Sequence, residues 1–148
     1  MLFRSLTISG TVTAAPKKEM AVWILGDHFH YRNTVLVEPD GSFQYALPVH
    51  LSERMETGEY YVVIQHPMEN GRFDVFQITT GEQTLVKNTA NDRFFLLEGT
   101  GALGGISAAE ALVSMINNAN IDDIYSKLSF VIQDPVISID PVSDKNIG

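Results

Sequence analysis

Short runs in which apolar and polar residues alternate fill roughly the first hundred positions of this 148-residue chain, and they limit its fold more than any other feature. In residues 6–12, Leu6, Ile8 and Val12 recur at the two-residue period of a strand with one buried face. Residues 20–25 form a nearly continuous apolar run of strand length, which predicts a central strand. Residues 58–65 carry the strongest strand pattern.

Turn residues separate these segments from further strands. Pro39-Asp40-Gly41 predicts a turn, because Asp and Gly tolerate left-handed dihedral angles. Asn70-Gly71 predicts a hairpin that leads into the next strand. The remaining expected strands are residues 31–37, 42–47, 72–78, 84–86, 93–97 and 128–132. Several short strands with turn signals between them favour a β-sandwich over a parallel α/β sheet.

The period changes after a glycine-rich stretch at residues 98–105. The apolar residues that then recur at helical spacing are Ile106, Ala109, Leu112, Val113 and Ile116. Ser107 and Glu110 have the spacing of a capping box at the start of this helix. One further helical turn is expected at residues 121–125, capped by Asn120. The predicted fold is therefore mainly β, an antiparallel β-sandwich with a short helical insertion at about residues 106–125 before the last strand.

Composition excludes several classes of function. Ten Lys and Arg residues against 18 Asp and Glu give a net charge of −8, which disfavours a general nucleic-acid binder. The chain has no cysteine, so disulfides, cysteine-based zinc sites, iron–sulfur clusters and thiol nucleophiles are excluded. No apolar run approaches the roughly 20 residues needed to span a bilayer, so we expect no membrane contact by this domain itself.

Two groups of residues are candidates for binding a metal ion. His28 and His30 flank Phe29, and on an extended segment they would share a face and could chelate Zn²⁺ or Cu²⁺, with His50 or His66 as further ligands. The alternative is a pair of solvated histidines at a strand edge or loop. The second group crowds oxygen ligands suited to Ca²⁺ into seven positions, although its spacing is not that of an EF-hand: Asn117, Asn118, Asn120, Asp122 and Asp123. Helix capping is the alternative for this second group.

A glycine motif at residues 99–104 matches the G-x-G-x-x-G fingerprint of dinucleotide-binding proteins, with Asp122 and Asp123 about 20 residues further on. The motif lies at the end of a β-rich chain, and no further β–α units follow it. The acidic residues also fall beside a predicted helical turn instead of at the end of a second strand. We therefore interpret the motif as a flexible hinge between a strand and a helix, and no bound cofactor is predicted.

Catalytic patterns are equally weak. Glu53, Glu56 and Glu59 could suggest paired carboxylates for glycoside hydrolysis, but they lie in a polar connection that is typical of a solvated surface. Trp23 and Tyr31 could stack on sugars, although a Trp within an apolar strand is more often part of the core. The chain contains no G-x-S-x-G, H-E-x-x-H or P-loop sequence. We therefore predict that the protein is not an enzyme and has no catalytic residue.

Three segments resemble repeats found in large surface proteins of methanogenic archaea, a family of unknown function. They are Ile8-Ser9-Gly10-Thr11, the helix from Gly104 together with residues 120–131, and residues 137–148, which open with Ile-Ser-Ile-Asp-Pro. The stretch Asp40-Gly41-Ser42-Phe43, followed by Gly58-Glu59-Tyr60, is also similar to Ig-like modules of prokaryotic surface proteins. The resemblance implies an Ig-like sandwich in an extracellular, multi-domain parent that is tethered to the membrane.

The expected organisation follows from this resemblance. Residues 1–135 would form one sandwich domain, and residues 136–148 a linker or the start of the next repeat, so that the chain is a fragment of a longer protein. The expected function is a non-catalytic structural or interaction module of an S-layer-like or adhesin-like protein, with neighbouring repeats or other cell-surface components as partners. The alternatives are a sandwich that binds a sugar or a metal ion (Ca²⁺ or Zn²⁺), and a cytoplasmic protein of unknown role.

Overall fold

The computed structural model describes residues 6–13 and 18–133, together with the backbone of residues 137–140. The strands are β1 Thr7–Thr11, β2 Met20–Gly26, β3 Phe29–Val35, β4 Ser42–Ala46, β5 Gly58–His66, β6 Val75–Thr80, β7 Gln83–Asn88, β8 Phe94–Glu98, β9 Ile124–Ile132 and β10 Ile137–Asp140. The helices are α1 Val49–Ser52, α2 Gly105–Ile116 and a 3₁₀ turn at Met68–Asn70. The predicted mainly β fold, with one helix of several turns before the last strands, is confirmed.

The strands form three antiparallel sheets. A central sheet has five strands in the order β10-β9-β5-β2-β3. The pair β1–β4 contributes to the apolar core on one face of this sheet. A three-stranded sheet, β6-β7-β8, and helix α2 share the core on the other face. The central sheet therefore lies between two covering layers, consistent with the predicted sandwich.

Strand β2 shows why the central sheet needs both layers. Its side chains alternate between the two cores, with Met20, Val22 and Ile24 on one face and Ala21, Trp23 and Leu25 on the other. All six are at most 1% exposed. Because burial of a large apolar side chain contributes about 1.5–3 kcal/mol, a strand with six buried residues is stable only when it is covered on both faces. The prediction of a central strand is confirmed.

The turn at Asp40-Gly41 carries the chain from the central sheet to the β1–β4 pair. Gly41 adopts a φ of 91°, which favours glycine. The Asp40 carboxylate accepts hydrogen bonds from the backbone N–H and the hydroxyl of Ser42, at 2.9 and 2.7 Å. The predicted turn is confirmed.

The predicted hairpin at Asn70-Gly71 is wrong. Strand β5 pairs with β2 and β9, whereas β6 pairs with β7 in a different sheet. Gly71 takes a left-handed φ of 68° after the 3₁₀ turn, so it redirects the chain between sheets. The hairpin in this region is instead the two-residue turn at Gly81-Glu82 between β6 and β7, where Gly81 has a φ of 58°.

The helical insertion is shorter than the predicted residues 106–125, and its helix starts before the predicted cap at Ser107. Helix α2 ends at Ile116, residues 117–123 form a loop, and Ile124 already belongs to β9. The expected turn at residues 121–125 is therefore wrong, because the partner strand β5 extends to His66 and pairs with Ile124. The N-cap is Gly104, without a side-chain hydrogen bond, so Ser107 lies inside the helix and forms no capping box.

Close packing against the turn between β2 and β3 explains why α2 begins at Gly105. A Cβ atom on Gly104 would lie 2.5 Å from the backbone carbonyl oxygen of Asp27, in the β2–β3 turn, and one on Gly105 would lie 2.5 Å from an oxygen of the Asp27 carboxylate. Glycine is thus required where the turn meets the helix. The Asp27 carboxylate also lies at the helix N-terminus, where negative charge is favourable.

The segment Ile137–Asp140 pairs antiparallel with β9, from Ile132 to Ser129, and forms an outer strand of the central sheet. The proposed division of the chain at residue 135 stays a prediction, since residues 134–136 and 141–148 lie outside the described residues. Within the described part of the chain, no helix is long and apolar enough to cross a membrane.

Two substitutions at the start of α2 test its packing. Gly104→Ala should destabilise the protein by about 1–3 kcal/mol, because the added methyl group meets the Asp27 backbone. Ser107→Ala should change the stability by less than about 0.5 kcal/mol, whereas loss of a capping serine typically costs about 1 kcal/mol. Urea denaturation of both variants measures this difference. A cost of 1 kcal/mol or more for Ser107→Ala, with a neutral Gly104→Ala, would show that the helix starts at Ser107 after all.

Candidate functional site

A buried polar network lies between the central sheet and the layer that contains α2. At its centre is Gln65 of β5, which is fully buried. Its side-chain oxygen accepts a hydrogen bond from the Trp23 indole N–H, at 3.0 Å. Its amide nitrogen donates to the carbonyl oxygen of Val75 in β6, at 3.0 Å, and to Oδ2 of Asp123, at 2.7 Å. One side chain therefore connects β2, β5, β6 and the loop before β9.

The carboxylate of Asp123 is the unusual member of this network. Its Oδ2 atom accepts a second hydrogen bond from the backbone N–H of Asp74, at 2.9 Å. Its Oδ1 atom is buried and has no hydrogen-bond partner. Asp123 is only 4% exposed. A buried oxygen without a partner costs free energy, so its presence points to an interaction beyond those of the network.

Two further carboxylates lie beside Asp123. Asp74 precedes β6, is 5% exposed, and accepts a hydrogen bond on Oδ1 from the Thr89 hydroxyl, at 3.1 Å. Asp122 is exposed on the adjoining loop. One carboxylate oxygen from each of Asp74, Asp122 and Asp123 lies within 4.8 Å of the others. In the described part of the chain, this aspartate cluster is the one group of three or more His, Asp or Glu side chains close enough to share a metal ion.

The surroundings of Asp123 alter its acidity. The pKa of its carboxyl is raised from 3.8 to about 7, mainly by burial and in smaller part by the negative charge of Asp74 and a side-chain hydrogen bond to it, while the hydrogen bonds from Gln65 and from the Asp74 N–H lower it. The folded protein therefore holds the buried carboxylates of Asp123 and Asp74 close together, and their electrostatic repulsion costs free energy. That cost falls if a proton or a cation is bound between them.

The structure brings together two of the residues expected to bind Ca²⁺, Asp122 and Asp123, and adds Asp74, which sequence reasoning missed. Asp74 is 49 residues from Asp123 and follows no recognisable motif, so nothing local in the sequence points to it. Among the expected amide ligands, Asn118 accepts a hydrogen bond from the N–H of Asn120, at 2.8 Å, which shapes the loop after α2.

None of the four histidines belongs to this cluster. His28 is in the two-residue turn between β2 and β3, not on an extended segment, so the reason for expecting a shared face with His30 does not apply. His30 lies on β3, with its Nε2 atom 3.0 Å from a carboxylate oxygen of Glu98. His50 lies on α1, and the buried His66 accepts the backbone N–H of Met68 on Nδ1. Zinc binding by His28 and His30 stays a prediction.

The glycine motif lines a cavity of about 580 Å³ between the β2–β3 turn, β8 and the start of α2. Its ionisable lining residues are Asp27, His28, His30, Arg54 and Glu98, and its apolar ones include Leu25 and Leu97. Gly104 serves the contact with Asp27 described above, which is a packing role. The motif therefore needs no dinucleotide to explain its last glycine.

The candidate residues for sugar binding or hydrolysis lie either in the core or scattered on the surface. Trp23 is fully buried and offers no face for stacking. Tyr31 lies in contact with Tyr45, their hydroxyl oxygens 2.5 Å apart. Glu53, Glu56 and Glu59 are exposed, and Glu59 accepts a hydrogen bond from the Tyr61 hydroxyl.

No protein-family model, curated protein or solved structure matches this chain.

The importance of Gln65 can be measured with a matched pair of variants. Gln65→Leu should destabilise the protein by about 2–5 kcal/mol, because it removes three hydrogen bonds and leaves the buried indole N–H of Trp23 without a partner. The control is Gln44→Leu on β4, which is exposed and should change the stability by less than about 0.5 kcal/mol. Equal effects of the two variants in urea denaturation would contradict the role given to Gln65.

The raised pKa of Asp123 predicts a pH dependence in buffer with EDTA. Because the folded state holds the Asp123 proton more tightly than the unfolded chain, the free energy of unfolding of the native protein should fall, relative to Asp123→Asn, as the pH rises from about 4 to about 7. Above about pH 7, the difference should be constant. Asp74 and Asp122, the charged groups beside Asp123, are present in both proteins, so the difference between the two profiles reports on Asp123. Parallel stability profiles for the two proteins would contradict the shift.

Proposed function

We propose that this chain is a non-catalytic structural or interaction module of an archaeal cell-surface protein of the S-layer or adhesin type. The observation that carries the proposal is where the structure places residues 104–112 and 120–131, which resemble methanogen surface repeats. Ala108, Ala109 and Leu112 are fully buried in the core shared by the central sheet, β6-β7-β8 and α2. Asp123 belongs to the buried network of Gln65. The resembling residues thus belong to the core of the domain and its buried network, which is compatible with a structural module.

Charge and sheet edges also support a role at the surface. The net charge of −8 favours solubility and resists non-specific association. Strands β3 and β10 are the outer strands of the central sheet, and outer strands can pair with neighbouring polypeptide. Neighbouring repeats of the same protein, or other surface components, are the proposed partners.

Metal binding is a second candidate function, and the aspartate cluster is the observation that favours it. The three carboxylates lie at the junction of the covering sheet and the loop before β9, so an ion bound there would act on stability and would be compatible with a structural module. The sugar-binding and cytoplasmic alternatives remain predictions for which the described residues offer no specific support.

Location can be tested directly with an antibody raised against the folded chain. Intact, unpermeabilised cells of the source organism should be labelled at the envelope, and the label should disappear when the antibody is first saturated with purified chain. An antibody to a ribosomal protein serves as the control and should label only permeabilised cells. If the chain too becomes labelled only after permeabilisation, it is not a cell-surface module.

A further inference from the structure

We propose that the aspartate cluster, Asp74, Asp122 and Asp123, is a Ca²⁺ site that ties the start of β6 to the loop before β9. The proposal does not depend on the cell-surface role. It depends on two independent observations, the approach of three carboxylates and the buried oxygen of Asp123 that has no hydrogen-bond partner.

The first observation is the spacing of the carboxylates. Ca²⁺ binds oxygen atoms at about 2.3–2.6 Å, so two ligands on opposite sides of one ion are at most about 5 Å apart. The three carboxylates each offer an oxygen within 4.8 Å of the other two. The cluster therefore has the size of a Ca²⁺ coordination sphere without any change in backbone.

The second observation is the state of Asp123. Its side chain is more than nine-tenths buried, and Oδ2 is fixed by two hydrogen bonds, from Gln65 and from the Asp74 N–H. These bonds orient the carboxylate, and they leave Oδ1 buried without a donor. A bound cation would satisfy this oxygen and would offset the repulsion between the carboxylates of Asp123 and Asp74.

The chemistry of the donors favours Ca²⁺ over other divalent cations. All three side chains offer oxygen, whereas structural Zn²⁺ sites are built mainly from sulfur and nitrogen ligands. Mg²⁺ demands a near-ideal octahedron at about 2.0–2.1 Å, while Ca²⁺ accepts six to eight ligands in flexible arrangements. Three carboxylates can supply three to six oxygens, depending on how many of them bind the ion through both oxygen atoms. Water would complete the sphere on the side of Asp122, which is exposed.

The position of the cluster gives the ion a structural role. Asp74 directly precedes β6 of the covering sheet, and Asp122 and Asp123 precede β9 of the central sheet. An ion held between them would therefore join two layers through residues far apart in sequence. We expect a Kd of about 0.1–1 mM, the range of the weaker Ca²⁺ sites in proteins.

The proposal is tested by thermal unfolding of the full chain in EDTA and in increasing Ca²⁺, Mg²⁺ or Zn²⁺. Because Ca²⁺ would bind only the folded state, the Tm should rise by about 5–10 °C at a concentration a hundredfold above the Kd. Mg²⁺ and Zn²⁺ should give smaller shifts.

The same sample allows ion occupancy to be measured directly, because Trp23 is the only tryptophan in the chain. Trp23 is hydrogen-bonded to Gln65, which in turn bonds Asp123. Tb³⁺ added in place of Ca²⁺ should emit when Trp23 is excited, and excess Ca²⁺ should abolish this emission.

Three variants decide whether the ion binds at this cluster. Asp123→Asn keeps an oxygen for the Gln65 amide, so it should fold in EDTA with a Tm at or above that of the native protein, yet lose the response to Ca²⁺. Asp122→Asn, on the exposed side, should fold normally and bind Ca²⁺ at least tenfold more weakly. Asp92→Asn alters an exposed aspartate outside the cluster and should respond to Ca²⁺ as the native protein does.

Two results would show that no ion binds at the cluster, and a third would contradict the choice of Ca²⁺. One is a native protein whose Tm is unchanged by 10 mM Ca²⁺ and which gives no Tb³⁺ emission. The other is a full Ca²⁺ response in both Asp122→Asn and Asp123→Asn, which would place the ion elsewhere. A larger shift with Zn²⁺ than with Ca²⁺ would contradict the choice of ion. None of these outcomes affects the antibody test of cell-surface location.

Discussion

The side-chain amide of Gln65 is the interaction on which the arrangement of layers depends. It lies in an interior that is otherwise apolar, where a polar group is tolerated only when its hydrogen bonds are made. Trp23 satisfies its oxygen, and the Val75 carbonyl and Asp123 satisfy its nitrogen. Of the three bonds to this amide, the one to the Val75 carbonyl connects the central sheet to the three-stranded sheet. The bond from the Asp74 N–H to Asp123 is a second directional connection at the same junction.

The same network places a carboxylate where a carboxylate is costly. Asp123 is held by Gln65 and by the backbone of Asp74, and it faces a second buried carboxylate. A neutral Asn could accept the same hydrogen bonds without electrostatic repulsion, so hydrogen bonding does not explain the choice of an acid. The cation binding proposed above would explain it. This distinguishes the aspartate cluster from the cavity beside Gly104, whose lining acids form no comparable group among the described residues, and from His30 and Glu98, which already form a pair.

Local patterns predicted much of the fold. The strand at residues 20–25 was recognisable because a run that is apolar at every position must be covered on both faces, and α2 because its buried residues recur at helical spacing. The predictions failed where a distant segment decides the local conformation. Asn70-Gly71 has the sequence of a hairpin, but its flanking strands pair elsewhere. Ser107 and Glu110 have the spacing of a capping box, but the packing of Asp27 against Gly104 and Gly105 begins the helix earlier.

The sequence by itself determined the class of the fold, the position of its central strand and helix, its acidic charge and two of the three clustered aspartates. These properties follow from composition and from short-range periodicity, which a chain carries whatever its partners are. Only the tertiary structure decided that Asp74 joins Asp122 and Asp123, and that Gln65 holds Asp123 in place. Hydrogen bonds between residues 49 and 58 positions apart leave no repeating pattern in a single sequence, because the separation along the chain depends on the loops and layers that lie between them.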